Sequence, residues 1–158
     1  MIQFKVLLSS LQTNQVGFVI IGGVAATLHG SARVTFDLDI VYDRSSENLT
    51  RIVTALSPFS PYLRGAPPGL PFKFDAETLK RGLNFTFTTT EGPIDLLGEL
   101  SGVGSYEEVR KRSVAANLFG ATYQFIDLEA LIVSKRAAGR AKDLEAIAEL
   151  EAIREERP

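Results

Sequence analysis

The stretch Ile21-Gly22-Gly23-Val24-Ala25-Ala26-Thr27-Leu28-His29-Gly30-Ser31-Ala32-Arg33-Val34-Thr35-Phe36-Asp37-Leu38-Asp39 decides how this chain is read. Just ahead of its first residue, Gly17-Phe18-Val19-Ile20-Ile21 is a short, mostly β-branched run. A continuous apolar segment of that kind suits a strand buried on both faces. The Gly22-Gly23 turn ends it, residues 24–29 read as a short helix, and Gly30 closes that helix. From Phe36 to Tyr42 polar and apolar residues then alternate with period two, which marks a second strand. Side chains alternate faces along a strand, so Asp37 and Asp39 point one way while Leu38 and Ile40 point the other.

Working outward, Ile2, Val6 and Leu7 fall on one helical stripe that Leu8 and Leu11 broaden, an amphipathic helix over residues 2–13. After the second strand, Ser45 or Ser46 can cap a helix running to about Leu56, with Leu49, Ile52, Val53 and Leu56 as its apolar face. Residues 57–72 hold five of the seven prolines and read as an irregular loop. Its Phe59, Tyr62, Arg64, Phe72 and Lys73 offer either a base-stacking surface or aromatics that pack on the core. Residues 83–89 alternate, Glu91-Gly92-Pro93 turns the chain, and Ile94-Asp95-Leu96-Leu97 returns as a hairpin. A helical turn is expected from Tyr106 to Arg112 and a strand pair over 113–118 and 121–126 around Gly120. Two helices follow, the first capped by Asp127 and separated from the second by Gly139. Residues 1–158 thus read as a single domain, with a core over about 1–126 and C-terminal helices over 127–158. The fold class is α/β (α+β): a twisted mixed sheet, flanking helices and a helical C-terminus.

Composition narrows the function classes. The 158 residues carry 45 % hydrophobic and 23 % charged residues, the mix of a globular protein. A formal net charge of −2 gives no bulk positive field for nucleic acid. The chain has no cysteine, which excludes disulfides, zinc-thiolate sites and thiol chemistry. Its start lacks the apolar core of a signal peptide, and no apolar run approaches the roughly 18 residues of a membrane span. The expectation is a cytoplasmic protein with no membrane partner.

The chemistry concentrates in the acidic pair. Two like charges on one strand face repel strongly and raise each other's pKa, and a cation relieves them. Mg²⁺ suits the pair because it takes oxygen ligands and is usually held by one or two carboxylates together with substrate phosphates. The alternative is an exposed edge strand with two solvated aspartates. Asp95 adds a third carboxylate inside an apolar run, where an unpaired charge is expensive. A calcium loop fits poorly, because Tyr42 stands where an EF-hand needs glycine. The same carboxylates acting on water would give a phosphohydrolase. Gly22-Gly23 lets backbone approach a ligand closely, and the helix behind it offers amides to phosphate. No Gly-Lys-Ser/Thr follows, so this is not a Walker loop.

The order of these parts resembles the first motif of the nucleotidyltransferase superfamily: a Gly-Gly or Gly-Ser turn, a short helix, then Asp-x-Asp on the next strand. With His29-Gly30 and Arg33-x-Thr35 ahead of the acidic pair, the stretch is similar to the bacterial branch of abortive-infection toxins and minimal nucleotidyltransferases, and Asp95 matches the third carboxylate. The resemblance covers residues 17–97 well and the C-terminal helices loosely. It implies transfer of a nucleoside monophosphate from an NTP, ATP for instance, to a hydroxyl on RNA, protein or a small molecule, and the branch adds the expectation of a toxin–antitoxin pair. It implies Mg²⁺, or Mn²⁺ in its place, held by Asp37, Asp39 and Asp95, with Asp95 also assisting deprotonation. The alternative it leaves is an inactive protein of the same fold that binds a nucleotide or a protein partner, such as a cognate toxin or antitoxin. The turn carries Gly23 where many members carry Ser, which leaves Ser31 and Thr35 as nearby hydroxyls.

Several further residues are singled out for nucleotide binding. Gly22, Gly23 and Thr35 belong to the motif. Arg33 can pair with Asp37 or Asp39, or touch phosphate. Lys135, Gly139, Lys142 and Asp143 would share a face if one helix ran through Gly139. Lys135 and Asp143 loosely match C-terminal motifs of the resembled branch, and Lys135 and Lys142 are the expected triphosphate contacts. A solvated helix face is the other reading of these charges. His29, the only histidine, is read first as a favourable contact at a helix C-terminus.

Overall fold

The computed structural model describes residues 4–157. Seven strands form one mixed sheet: β1 (Phe18–Ile21), β2 (Leu38–Tyr42), β3 (Tyr62–Leu63), β4 (Asn84–Thr88), β5 (Ile94–Leu97), β8 (Ser113–Leu118) and β9 (Ala121–Ile126), in the order β3-β4-β5-β2-β1-β9-β8. A separate two-stranded ribbon pairs β6 (Glu99–Leu100) with β7 (Gly104–Ser105). The helices are α1 (Phe4–Thr13), α2 (Gly22–Leu28), α3 (Ser46–Leu56), α4 (Ala76–Arg81), α5 (Tyr106–Lys111), α6 (Leu128–Ala138) and α7 (Ala141–Glu156). This is the mixed α/β architecture expected from the sequence.

Strand β2 lies at the centre, antiparallel to β1 and parallel to β5. That position rules out the exposed edge strand as an account of the acidic pair. Val19, Ile20 and Ile21 of β1 are all buried, as a strand covered on both faces requires. In β2, Leu38 and Ile40 are fully buried and Asp39 between them is half-buried, so the period-two pattern holds through the site. Replacing a fully buried aliphatic such as Ile40 with alanine is worth roughly 2–5 kcal/mol.

Three local expectations are corrected. Asp37 is not on the strand; it is the last residue of the loop before β2, which starts at Leu38 with its N–H donating to Pro93 O at 3.2 Å. Gly22 and Gly23 are the first residues of α2 rather than a turn ahead of it. In α1 the buried stripe is Leu7, Leu8 and Leu11 with Phe4 packed beside them, while Val6 is exposed. Burial selects positions 4, 7, 8 and 11, the helical spacing of one face. Ile2 lies outside the described residues.

The proline-rich segment is also less irregular than expected. It contains a 3₁₀ turn at Ser57–Phe59 and the edge strand β3, whose two residues pair with Phe87 and Thr88 of β4. A short edge strand among prolines is a common way to blunt a sheet edge. Its aromatics pack on the core: Phe72 and Phe74 meet Phe87, with ring centroids 5.8 and 5.4 Å apart. Helix α4, capped by Asp75 accepting from Thr78 N at 2.8 Å, and the β6–β7 ribbon were not foreseen. At the C-terminus Asp127 accepts from Ala130 N at 2.7 Å, and Gly139 (φ 65°) turns the chain so that α7 packs back on α6. No described helix is long and apolar enough to cross a membrane.

Candidate active site

Strand register builds the site. Ile21 of β1 lies opposite Asp39, Asp39 opposite Asp95, and Asp95 opposite Thr86. Residues in register across a sheet share a face. Asp39 and Asp95 therefore stand side by side, and Asp37 reaches the same spot from the loop. One carboxylate oxygen from each of the three lies within 4.8 Å of the others. Asp39 Oδ1 is buried and has no hydrogen-bond partner. Burial, reinforced by the charge of Asp95, a hydrogen bond to it and the charge of Asp37, pushes Asp39 up to about 7. An orphaned buried oxygen among three converging carboxylates fits a hard divalent cation in both donor type and number.

The motif glycines are sterically required. A Cβ at Gly22, whose φ is 63°, would lie 2.1 Å from Asp39 Oδ2. A Cβ at Gly23 would lie 2.4 Å from Thr35 Oγ1 and 2.6 Å from Thr35 Cβ. The space that a serine at position 23 would enter is thus filled by the Thr35 side chain, whose hydroxyl donates to Asp37 O at 3.2 Å. Of the two hydroxyls considered above, Thr35 is the one beside position 23. Ser31 instead donates to Glu149 Oε1 at 2.5 Å.

The site opens into a cleft of about 700 Å³, a volume in the range of small-molecule sites. Its lining includes Gly22 and Gly23 of α2, the 31–37 loop, Asp39 and Asp95 from the strands, and Lys135, Lys142 and Asp143 from α6 and α7. The nominated residues are therefore gathered around one space. Arg33 lines that cleft without pairing with Asp37 or Asp39. Its guanidinium meets Glu145 at 3.1 Å and Glu149 at 3.9 Å on α7. Glu149 also accepts from Ala32 N at 3.0 Å. Together these contacts anchor the loop that delivers Asp37.

Lys135 and Asp143 meet even though no single helix joins them. The Gly139 turn folds α7 back, leaving Lys135 Nζ 3.8 Å from Asp143 Oδ1. Asp143 is only 1 % exposed. Burial alone would raise it, but hydrogen bonds from Arg140 and the charges of Arg140 and Lys135 outweigh that and hold it below the usual carboxylate range. Burial holds Lys135 below the usual lysine range, assisted by Arg140 and Lys142 and opposed by Asp143 and Asp39. His29 does not line the cleft. It is buried, with Nε2 2.7 Å from Ile126 O, and Arg157 donates to its carbonyl at 2.9 Å.

Arg64, read from the sequence only as a basic residue of the proline-rich loop, reaches the acidic site itself. Arg64, just past β3, reaches across β4 and donates to Asp95 Oδ1 at 2.6 Å and to Phe87 O at 2.8 Å. Its Nη1 lies 3.9 Å from Asp37 Oδ2. No local pattern marks it, because the contact depends on the order of three strands.

Comparison with known proteins supports the architecture. No family model matches the chain, and no curated protein matches it in sequence. Among solved structures, a candidate nucleotidyltransferase from Thermotoga maritima is similar at a TM-score of 0.61 and 15 % identity, over 96 % of both chains. A lincosamide antibiotic adenylyltransferase with lincomycin bound is similar at 0.62 and 16 % identity, over 96 % of this chain and 98 % of that one. The chain has the nucleotidyltransferase fold.

Proposed function

We propose that this protein is a metal-dependent nucleotidyltransferase that moves an NMP from an NTP to a hydroxyl acceptor. The observation carrying this reading is the triad of Asp37, Asp39 and Asp95, with its buried, unpartnered carboxylate oxygen, in a cleft of nucleotide size. Asp37, Asp39 and Asp95 would hold Mg²⁺ or Mn²⁺. The ion, when bound, neutralises triphosphate charge and aligns the attacking and leaving oxygens. Phosphoryl chemistry needs positioning and charge more than covalent help. Asp95 takes the proton of the acceptor hydroxyl as its oxygen bonds to the α-phosphorus, and the α–β bridging bond breaks to release pyrophosphate.

The remaining nominated residues divide by position. Gly22 and Gly23 keep the floor of the cleft low, and Thr35 supplies the hydroxyl beside them. Lys135, Lys142 and Arg33 place positive charge on the α7 side of the cleft, where a triphosphate would lie. In this reading residues 1–126 are the catalytic core and 127–158 contribute cations to the same site. The acceptor is RNA, protein or a small molecule. Likeness to an adenylyltransferase of an antibiotic supports a small one, whereas the motif's resemblance to toxins supports RNA or protein and a cognate toxin or antitoxin partner; the setting proposed is cytoplasmic. Incubation with each α-labelled NTP, Mg²⁺ and pooled acceptors tests the proposal. Label transfer that disappears in Asp37→Ala and Asp39→Ala is the expected result.

A second reading rests on Arg64. A cation already paired with Asp95 and Asp37 favours a protein of this fold that binds nucleotide or a partner without turnover. NTP binding with no transfer to any acceptor would establish it and sink the first.

A further inference from the structure

Arg64 makes more contacts within the acidic site than any other basic side chain, yet it belongs to none of the motif. Its Nη2 donates to Asp95 Oδ1 at 2.6 Å and to the carbonyls of Phe87 and Ile94 at 2.8 and 3.5 Å. The backbone fixes its starting point, since Arg64 N donates to Thr86 O at 3.0 Å, and Thr86 is the residue opposite Asp95. The guanidinium is held for the carboxylates rather than for itself, because its own Nε is buried with no partner. Leaving that donor unsatisfied is unfavourable, and the attraction of Asp95 and Asp37 offsets it.

The contact has a consequence for cation binding. A guanidinium and a divalent ion both take up carboxylate lone pairs, and Asp95 Oδ1 already accepts from Arg64 Nη2. A guanidinium beside Asp37 and Asp95 would also repel an incoming divalent charge at close range. We propose that Arg64 is the resident counter-ion of the triad, and that a divalent cation binds by displacing it from Asp95. The inference rests on the triad being a metal site, as argued above. It fixes a sign: Arg64 weakens metal binding, where a residue that merely oriented Asp95 would strengthen it.

Mn²⁺ titration of wild type and Arg64→Gln, read by electron paramagnetic resonance of the free ion, separates the two. The variant is expected to bind Mn²⁺ about ten-fold more tightly, the value of one charge-assisted hydrogen bond removed from the competition. Its metal-free melting temperature should fall, and saturating Mn²⁺ should raise it by more than in wild type. Unchanged or weaker Mn²⁺ binding by Arg64→Gln overturns the proposal and leaves the metal site standing. Failure of both proteins to bind Mn²⁺ overturns the metal site and the proposal with it. Should Arg64→Gln not fold, the wild-type protein still decides. The Arg64 Nε–Hε resonance, assigned with Arg64→Lys, should move and saturate during a Mg²⁺ titration, and an unmoved resonance refutes displacement.

Discussion

Asp39 and Asp143 line the same cleft and are served in opposite ways. Asp143 is almost wholly buried, but Arg140 Nε lies 2.7 Å from its Oδ2, Arg140 N donates to it at 3.1 Å, and Lys135 stands 3.8 Å away. Asp39 is less buried, yet one of its oxygens has no partner and its nearest charged neighbours include two further carboxylates. One acid is held below its usual range and the other is raised to about 7. A fold able to satisfy one carboxylate fully has left the other with an unmet demand for positive charge. Unmet demand where three acids converge marks a place for a ligand; satisfied demand marks architecture.

The largest expected consequence is in the pH dependence of the metal-free protein. Asp39 has a folded-state pKa above its unfolded value, so its contribution to stability is full below about pH 4 and is lost as pH rises through about 7. The loss is on the order of 4 kcal/mol for one group shifted this far. Asp143, Glu149 and Asp75 are shifted downward and act in the opposite sense. The difference between wild type and Asp39→Asn, from urea unfolding in chelator across pH 4 to 8, isolates the effect. Wild type should lose stability relative to Asp39→Asn as pH rises, and parallel curves would show that Asp39 is not strained.

Asp143→Asn should break the comparison from the other side. It strands Lys135 and Arg140 and loosens the first turn of α7. Wild-type-like unfolding at neutral pH would contradict this account, because roughly 2–3 kcal/mol of stability should disappear. A smaller effect concerns the cleft floor. Gly23→Ser should cost about 1–3 kcal/mol through its clash with Thr35. Gly23→Ser combined with Thr35→Gly should recover part of that loss in melting temperature and, under the function proposed, retain NTP affinity better than Thr35→Gly alone. A double variant no better than either single one would show that the two positions do not share one hydroxyl.

What could be read in the sequence was what is local. The strand pair at 113–118 and 121–126 and the cap at Asp127 coincide with the structure because alternation and turn chemistry act over a few neighbouring residues. Helix α4 has only six residues directly after the proline-rich segment, too few for its Asp75 cap and end charges to stand out. The adjacency of Asp39 and Asp95 depended on β2 pairing with β5, which no periodicity encodes. Arg33 was read as pairing with Asp37 or Asp39 or touching phosphate, but α7 offers it Glu145 and Glu149, partners more than 100 residues along the chain. Arg64 was legible only as a loop cation, since its role arises from the order β3-β4-β5.

The anchor at Glu149 also bears on how the protein comes into being. It grips Ser31 from 118 residues further along the chain, and Ala32 from 117. During synthesis, strands β1 and β2 can pair long before that glutamate has been made. The segment bearing Asp37 would then lack its Glu149 anchor on the nascent chain until α7 emerges. The loop that carries Asp37 is in this sense completed late, by a residue made long after both strands that flank it.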